Sequence, residues 1–399
     1  MKGIFNRVPP LASDYSGACS VLFAFSSLNL LYTPGGCSSA IIEFDEIRDW
    51  RRTLFFSSKL GELEAVMGAE EEFLENAETL CARNGSGVEF IAVIGTPVPA
   101  FTGVDLQAIA EKLGRRTGLP ALAFSTEGFE NYYSGVHHAL LTLGKSFLER
   151  REKKSKRVNI IGYTPLSLGA GVHLTELVGV LSRCGLEISC LPTGEIELET
   201  FKGMASAALN IVVSHEGTGL AQYMQREYSI PYVMNVPVGL WGMRRLLQVL
   251  KEVLAIPLSS AVEEPYVPRE KVQSGRHAVV IGEPLFAACL ADCLRYDFGF
   301  AQVEPVALIK SDRRMKRVYR EESLLDVKLF EDEDTLAQWT DQMPADVIVG
   351  DPLYKRLFSG CNAQYIPIPH IGLSGVIHAD MNYEFIGVGG HDYLSKFIR

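Results

Sequence analysis

The sequence predicts an α/β protein of three Rossmann-like domains, each with a mainly parallel, doubly wound sheet, arranged around a central cleft. One repeated pattern points there first. Short runs rich in Val, Ile and Ala end in Gly, then one or two residues, then Pro: "FIAVIGTPVP" at 90–99, "VNIIGYTP" at 158–165, "AVVIGEP" at 278–284 and "DVIVGDP" at 346–352. Continuous β-branched runs without alternation fit strands buried on both faces of a parallel sheet. Helical patterns follow these runs at 105–117, 172–184 and 285–295, which makes repeated βαβ units. At 399 residues the chain also exceeds what one hydrophobic core organises.

In chain order, the first domain is expected over 1–152. Its apolar stretch "CSVLFAFSSLNLLY" (19–32) reads as a helix from about 18 to 31, and "PGGC" (34–37) reads as a turn. The "FIAVI" strand, the 105–117 helix and a further strand in "TGLPALAF" (117–124) complete it. The charged "RREKKSKR" (150–157) reads as a linker. The second domain, 153–262, contributes the "VNII" strand, the 172–184 helix and a strand in "YSIPYVMNV" (228–236). The Pro/Glu-rich "SSAVEEPYVPREKVQSG" (259–275) leads into the third, 263–399, whose last strand is "AQYIPIP" (363–369). Sheets of this kind bind ligands beyond the carboxyl ends of their strands. The Gly-x-Pro loops and "VVSHEGTGLAQ" (212–222) would therefore face a common inter-domain cleft.

Composition narrows the function classes. With 47% hydrophobic and 22% charged residues, the chain belongs with ordinary globular proteins. No apolar run reaches the roughly 18–20 residues that span a bilayer. The N-terminal stretch lacks the continuous apolar centre of a secretory signal, so a cytoplasmic location is expected. A net charge of −10 argues against nucleic acid as a partner. The basic runs at 150–157 and 313–320 have acidic neighbours and no interleaved aromatic platforms, so they read as a linker and a solvated face.

Several familiar motifs are absent or off pattern. No GxGxxG or P-loop follows any strand, and "GYTPLSLGAG" (162–171) does not match either. "HLTE" (173–176) and the adjacent His137 and His138 give no zinc spacing. "GLSG" (372–375) is not a nucleophile elbow. Eight cysteines in such a chain do not suggest a disulfide framework. Cys184, Cys190, Cys289 and Cys293 sit in apolar segments and read as small hydrophobes; Cys81 lies late in an amphipathic helix and Cys361 in a loop. Cys19 and Cys37 differ. Each follows small residues, "SGACS" and "PGGCS", and a helix between them would return the second thiol near a shared site. Thiolates on glycine turns suit an iron–sulfur cluster, whose sulfides also accept backbone N–H groups. The rival reading of Cys37 is a buried thiol in a tight turn.

The order of several stretches resembles component 1 of nitrogenase and the nitrogenase-like reductases. They are "SDYSGACSVLFAFSSL" with "PGGCSSAI", then "SSKLGELEAVMGAEEEFLENA", then "FIAVIGTPVPAFTGVDLQAIAEKLGRRTGLPALAF". The stretches at 158–188, 223–247 and 346–357 fit the family's second and third domains. This group also includes the dark-operative protochlorophyllide reductase and the nickel-sirohydrochlorin reductive cyclase. The resemblance implies a cluster shared between paired subunits, reduced by a separate ATP-dependent iron protein. By position Cys37 matches a family ligand, whereas Cys19 lies a few residues beyond one that would fall at Ser13 or Asp14. A third family cysteine has no counterpart in "IGTPVPAFTG", where Thr96 and Pro97 stand. The implied centre is thus a simpler [4Fe–4S] cluster at a subunit interface, with Cys19 and Cys37 as ligands and Asp14 as an oxygen donor.

A second departure concerns the family's cofactor-anchoring cysteine, whose place within "LNIVVSHEGTGLAQYMQREYSIPY" is taken by Ser214. A neutral hydroxyl is a poor iron ligand beside a thiolate, so no FeMo-type cofactor and no N2 reduction are expected. Ser214, His215, Glu216, Gly217 and Thr218 then form a candidate pocket wall for a small-molecule substrate. His215 and Glu216 would serve as proton donors in reductive chemistry. The same residues also read as the cap of a helix beginning near Leu220, with Thr218 as N-cap. Asp351 and His370, beyond other strand ends, are further substrate-binding candidates. The resemblance implies a low-potential reductase subunit working as a homodimer, or as a heterodimer or heterotetramer with a second component 1 type subunit. A non-catalytic scaffold for a cluster or metal cofactor, and a metal-free small-molecule binding module, stand beside it.

Overall fold

The computed structural model describes residues 6–9, 11–37, 54–84, 87–169, 171–190, 196–267, 274–309, 327–358, 360–374, 377 and 382–398. Three parallel sheets organise them. The first has strand order β2-β1-β3-β4, with β1 (Ser27–Leu31), β2 (Leu54–Ser57), β3 (Phe90–Ile94) and β4 (Ala121–Phe124). The second repeats that order as β6-β5-β7-β8, with β5 (Arg157–Ile161), β6 (Glu187–Cys190), β7 (Leu209–Val212) and β8 (Tyr232–Met234). The third is β11-β10-β9-β12-β13, with β9 (His277–Ile281), β10 (Gln302–Leu308), β11 (Lys328–Phe330), β12 (Val347–Gly350) and β13 (Gln364–Pro367). These are the doubly wound orders expected of the Gly-x-Pro pattern, and every strand pair is parallel.

Each sheet reverses its winding between two central strands: β1 and β3, β5 and β7, β9 and β12. The loops leaving those pairs flank the crevice where doubly wound folds bind ligands. The central strands are buried along their length because helices cover both faces; β3 and β7 expose nothing. Local chemistry sets the helix ends. Asp105 Oδ1 accepts the Ala108 N–H at 2.9 Å to start helix Leu106–Thr117, and Gly118 closes it at φ +73°.

The expected helix over 18–31 is a correction. The chain forms helix Asp14–Leu22, a short turn, and then β1. An unbroken apolar run does not distinguish a buried helix from a central strand by periodicity. Packing decides it here: Leu28 and Leu30 enter one core cluster and Leu31 another, so the segment is covered from both faces. The helix expected from Leu220 also starts earlier. A 3-10 turn at His215–Gly217 leads directly into helix Thr218–Tyr228, and Thr218 forms no side-chain cap.

Two glycines bring helix Asp14–Leu22 against helix Tyr132–Phe147. A Cβ on Gly17 would stand 2.1 Å from the Tyr132 carbonyl oxygen, and one on Gly135 1.7 Å from that of Asp14. The backbones therefore touch, which positions both Asp14 and Tyr133.

The sheets share one buried cluster with residues from all three. Polar ties reinforce it. Glu333, fully buried, accepts the N–H groups of Asn6, Arg7 and Val8, which lays the N-terminal segment across the third sheet's helices. The Glu89 carboxylate accepts the Leu198 N–H at 3.1 Å, and Val238 bridges Ile386. Residues 150–156 form neither helix nor strand, and the basic run 313–320 lies outside the described residues. Among the described residues, no helix is long and apolar enough to cross a membrane.

Candidate functional site

The second and third sheets meet at their switch points. After β7 the chain presents His215 and Glu216; after β9 it presents Glu283 in "IGEP". Glu283 Oε2 accepts the Phe286 N–H at 2.7 Å and so caps its own helix, Pro284–Tyr296. Its Oε1 accepts the His215 backbone N–H at 2.8 Å and lies 2.7 Å from His215 Nδ1. Glu216 Oε2 lies 3.3 Å from the same Nδ1, while its Oε1 accepts the Ser167 hydroxyl at 3.3 Å.

Burial alone would pull the His215 proton off. The hydrogen bonds and charges of Glu216 and Glu283 outweigh it and hold the imidazolium up to about 10. Burial pushes the Glu283 carboxyl the other way, but the His215 hydrogen bond and charge, with two backbone N–H groups, leave it below the ordinary carboxylate range. The pair is an imidazolium–carboxylate ion pair that joins two domains.

The first and third sheets meet beside it. Tyr133 stands edge-on to His215, with ring centroids 5.1 Å apart, and edge-on to His370 at 5.7 Å. Its hydroxyl lies 3.2 Å from His370 Nε2. Asp351, in "VGDP" after β12, accepts the His370 N–H at 2.7 Å through Oδ2 and the Leu353 N–H at 2.9 Å through Oδ1. Burial lowers His370 to about 4, so its ring is neutral at ordinary pH. Tyr133, Ser167, Glu283, Asp351, Tyr354 and His370 line an inter-domain cleft of about 500 Å³, counted to its solvent-open mouth.

The structure thus brings Asp351 and His370 to the cleft wall, and sets His215 and Glu216 behind it, in contact with the lining residues Glu283 and Ser167. The other residues singled out in the sequence turn inward. Ser214 Oγ donates to the Gly162 carbonyl at 2.6 Å and is fully buried. Gly217 packs so closely on Gly162 that a Cβ would meet its Cα at 2.9 Å, and the Thr218 hydroxyl points at Met234 Sδ, 3.9 Å away. These three shape the loop rather than line the cleft.

Cys37 follows the Pro-Gly-Gly turn at the carboxyl end of β1, the switch point of the first sheet. It is half-buried, and a Cβ on Gly35 or Gly36 would meet nothing within 4 Å among the described residues. Cys19 lies inside helix Asp14–Leu22, 3% exposed, where burial pushes its thiol well above the ordinary range. The Asp14 carboxylate accepts three backbone N–H groups, from Tyr15 at 2.8 Å, Glu127 at 3.0 Å and Gly128 at 2.8 Å. Against the cluster expected from the sequence, Cys37 fits as a thiolate donor, while Cys19 and Asp14 are already committed to the interior.

An apolar patch continues from this turn. Pro34 pairs with Leu60 just before helix Glu62–Met67, which packs on helix Pro97–Thr102. Leu63, Val66, Met67, Phe101 and Phe129 are all more than half exposed there, with the two phenylalanine rings 5.1 Å apart. Monomeric proteins seldom leave such residues together in water.

Sequence reasoning missed Glu283, Tyr133 and Ser167. For Glu283 a signal existed. The "GEP" and "GDP" loops place an acid at the same position after β9 and β12 of one sheet, so Glu283 and Asp351 are equivalent. Tyr133 and Ser167 reach the cleft only through tertiary packing.

Comparison with known proteins agrees with the fold. A family model described as nitrogenase component 1 type oxidoreductase matches residues 13–391. A chain of the light-independent protochlorophyllide reductase of Leptolyngbya boryana is 25% identical over 284 residues, 63% of this chain and 55% of that protein. The nitrogenase iron-molybdenum cofactor biosynthesis protein NifE of Methanococcus maripaludis is 24% identical over 249 residues, 60% of this chain and 50% of that protein. The chain thus spans little more than half the length of these relatives. A solved structure titled nitrogenase Cp1 at pH 6.5 superposes with a TM-score of 0.75 at 13% identity, covering 100% of this chain and 94% of that one.

Proposed function

The chain belongs to the nitrogenase component 1 type oxidoreductase family, and on that premise we propose that it is a subunit of a nitrogenase-like reductase. Electrons come from an ATP-dependent iron protein and reach an organic small molecule in the inter-domain cleft. A [4Fe–4S] cluster at a subunit interface, held through Cys37, would supply the one-electron relay. N2 is not the substrate, because the Ser214 hydroxyl is tied to Gly162 and offers no thiolate to a FeMo-type cofactor.

The observation that carries this reading is that each of the three switch points presents a side chain suited to redox or proton chemistry. Cys37 stands at the first, His215 and Glu216 at the second, Glu283 and Asp351 at the third. The exposed patch of Leu63, Val66, Met67, Phe101 and Phe129 supports a paired subunit over the Cys37 side. That partner is a second copy or a second component 1 type chain.

Reduction of an organic group consumes protons along with electrons. His215 keeps one next to Glu283, whose carboxylate lines the cleft and can pass it to substrate. Tyr133 and the neutral His370, which line the same cleft, orient the substrate. Domain walls on three sides exclude water from this low-potential step.

The test is iron and acid-labile sulfide content after anaerobic purification, with the EPR spectrum of the dithionite-reduced protein. Roughly two to four irons per chain are expected, lost in Cys37→Ser. A folded chain that stays iron-free after anaerobic reconstitution would overturn the reading and leave the metal-free binding module. The similarity to a cofactor biosynthesis protein favours one second reading, a scaffold that hands its metal group to another protein. Transfer of iron to an acceptor without multiple turnovers would select it.

A further inference from the structure

We propose that His215, Glu216 and Glu283 form a mononuclear site for one divalent transition-metal ion of the zinc or iron(II) class, with its open position facing the cleft. The site is separate from the Cys37 centre and uses none of its donors. One atom from each residue, Nδ1 of the imidazole and an oxygen of each carboxylate, lies within 4.8 Å of the others. Metal–ligand bonds of about 2.0–2.2 Å in a tetrahedral arrangement put neighbouring donors roughly 3.3 Å apart. The Nδ1 distances to Glu216 Oε2 and Glu283 Oε1, 3.3 and 2.7 Å, need little adjustment to reach that.

Charge and burial point the same way. Glu216 is fully buried and Glu283 is 2% exposed. Glu216 Oε2 is buried and makes no well-aligned hydrogen bond; its ion-pair partner is the His215 nitrogen, 3.3 Å away. Among the described residues, His215 is the sole ion-pair partner of either carboxylate. Two buried carboxylates against one imidazole leave a deficit that a dication would balance. The ion and the imidazolium proton are thus alternative occupants of one place, since a ligating imidazole must be deprotonated.

Outer contacts already hold the donors. Ser167 donates to Glu216 Oε1, and the N–H groups of Phe286 and His215 hold Glu283. A metal site needs this kind of support to orient its ligands. Imidazole with carboxylates selects zinc or iron(II) over calcium or magnesium, which prefer oxygen alone. Three protein ligands leave a fourth position, and Glu283 places it at the cleft wall.

The test uses the full chain carrying Cys37→Ser, stripped with a chelator and titrated anaerobically with Co2+ as a spectroscopic probe. One Co2+ per chain is expected, with tetrahedral visible bands, no thiolate charge-transfer band, and displacement by Zn2+. Glu216→Gln and Glu283→Gln should each weaken binding at least about tenfold. Ser167→Ala leaves all three donors in place, guards against a folding failure in the other two, and should weaken binding about tenfold. A chain that takes up no Co2+, or that binds it equally tightly in all three variants, overturns the site. Neither result alters the acid-labile sulfide measurement, which reads the Cys37 cluster and not an ion held by imidazole and carboxylates.

Discussion

The Glu283 carboxylate of the third sheet lies 2.7 Å from the His215 imidazole of the second, and both side chains are almost wholly withdrawn from water. A contact of this kind makes two domains cooperate in unfolding, because separating them strands two buried charges. Its consequences are readable as a dependence of stability on pH.

His215 is held at about 10 against an ordinary value of 6.5, despite burial, by the hydrogen bonds and charges of Glu216 and Glu283. A raised basic group stabilises the fold fully below its unfolded value and loses that effect as pH climbs through its folded value. Glu283 is depressed, so its contribution is complete above about 4.5 and is lost as pH falls. Urea titrations should show stability falling from pH 6.5 towards 10, by at most about 1.4 kcal/mol per pH unit. Glu283→Gln should flatten that slope. An unchanged slope in the variant would remove the pair from the account.

Thiol reactivity should separate Cys37 from Cys19. Cys37 is half-buried on an open turn, whereas Cys19, Cys289 and Cys293 are buried, and burial pushes their thiols up, Cys289 to about 12. Thiolates, not thiols, react with alkylating agents. Timed iodoacetamide labelling of the metal-free chain, read by peptide mass spectrometry, should modify Cys37 early. The three buried thiols should react only on unfolding. Early labelling of Cys19 would mean that helix Asp14–Leu22 opens readily, and would restore Cys19 as a ligand.

Gly135→Ala should be among the most damaging single changes. Its Cβ would stand 1.7 Å from the Asp14 carbonyl oxygen, a backbone atom that cannot move without shifting helix Asp14–Leu22. Forced overpacking of this kind typically costs about 1–3 kcal/mol and more where backbone must move. The loss should appear as a lower urea midpoint. Gly114→Ala is the control, because its Cβ would find ordinary contacts at 3.5 Å or more.

Much of this architecture is legible in the residues themselves. Buried parallel strands leave continuous Val/Ile runs, and the Pro after each one marks where a helix can start, so β3, β5, β9 and β12 stand out. The run from Cys19 to Tyr32 misleads, because helix and central strand make the same demand for apolar residues when both faces are covered. The cleft is legible in part. His215, Glu216, Asp351 and His370 follow strand ends, and position along the chain suffices to find them. Tyr133 is placed by a glycine-mediated helix crossing, and Ser167 by a turn of four residues, neither of which leaves a pattern. Ser214 shows the opposite failure: it sits where a ligand is expected, but the direction of its side chain is settled by Gly162, fifty-two residues away in sequence.

Ser214→Ala tests whether that side chain serves the fold or the substrate. Its hydroxyl donates to the Gly162 carbonyl at 2.6 Å, and Gly162 has φ +92°, a conformation other residues seldom adopt. Removing the donor leaves a buried carbonyl unpaired, which costs about 1–3 kcal/mol. A structural role therefore predicts a lower urea midpoint, and unchanged Co2+ uptake at His215, Glu216 and Glu283. A substrate-binding role predicts unchanged stability with weaker substrate saturation. Ser214→Cys extends the test. Sulfur is larger than oxygen and a weak donor, and it would be driven against Gly162 rather than into the cleft. The variant should be destabilised and should bind no additional iron. Iron bound at that position would show that the loop can turn the side chain outward.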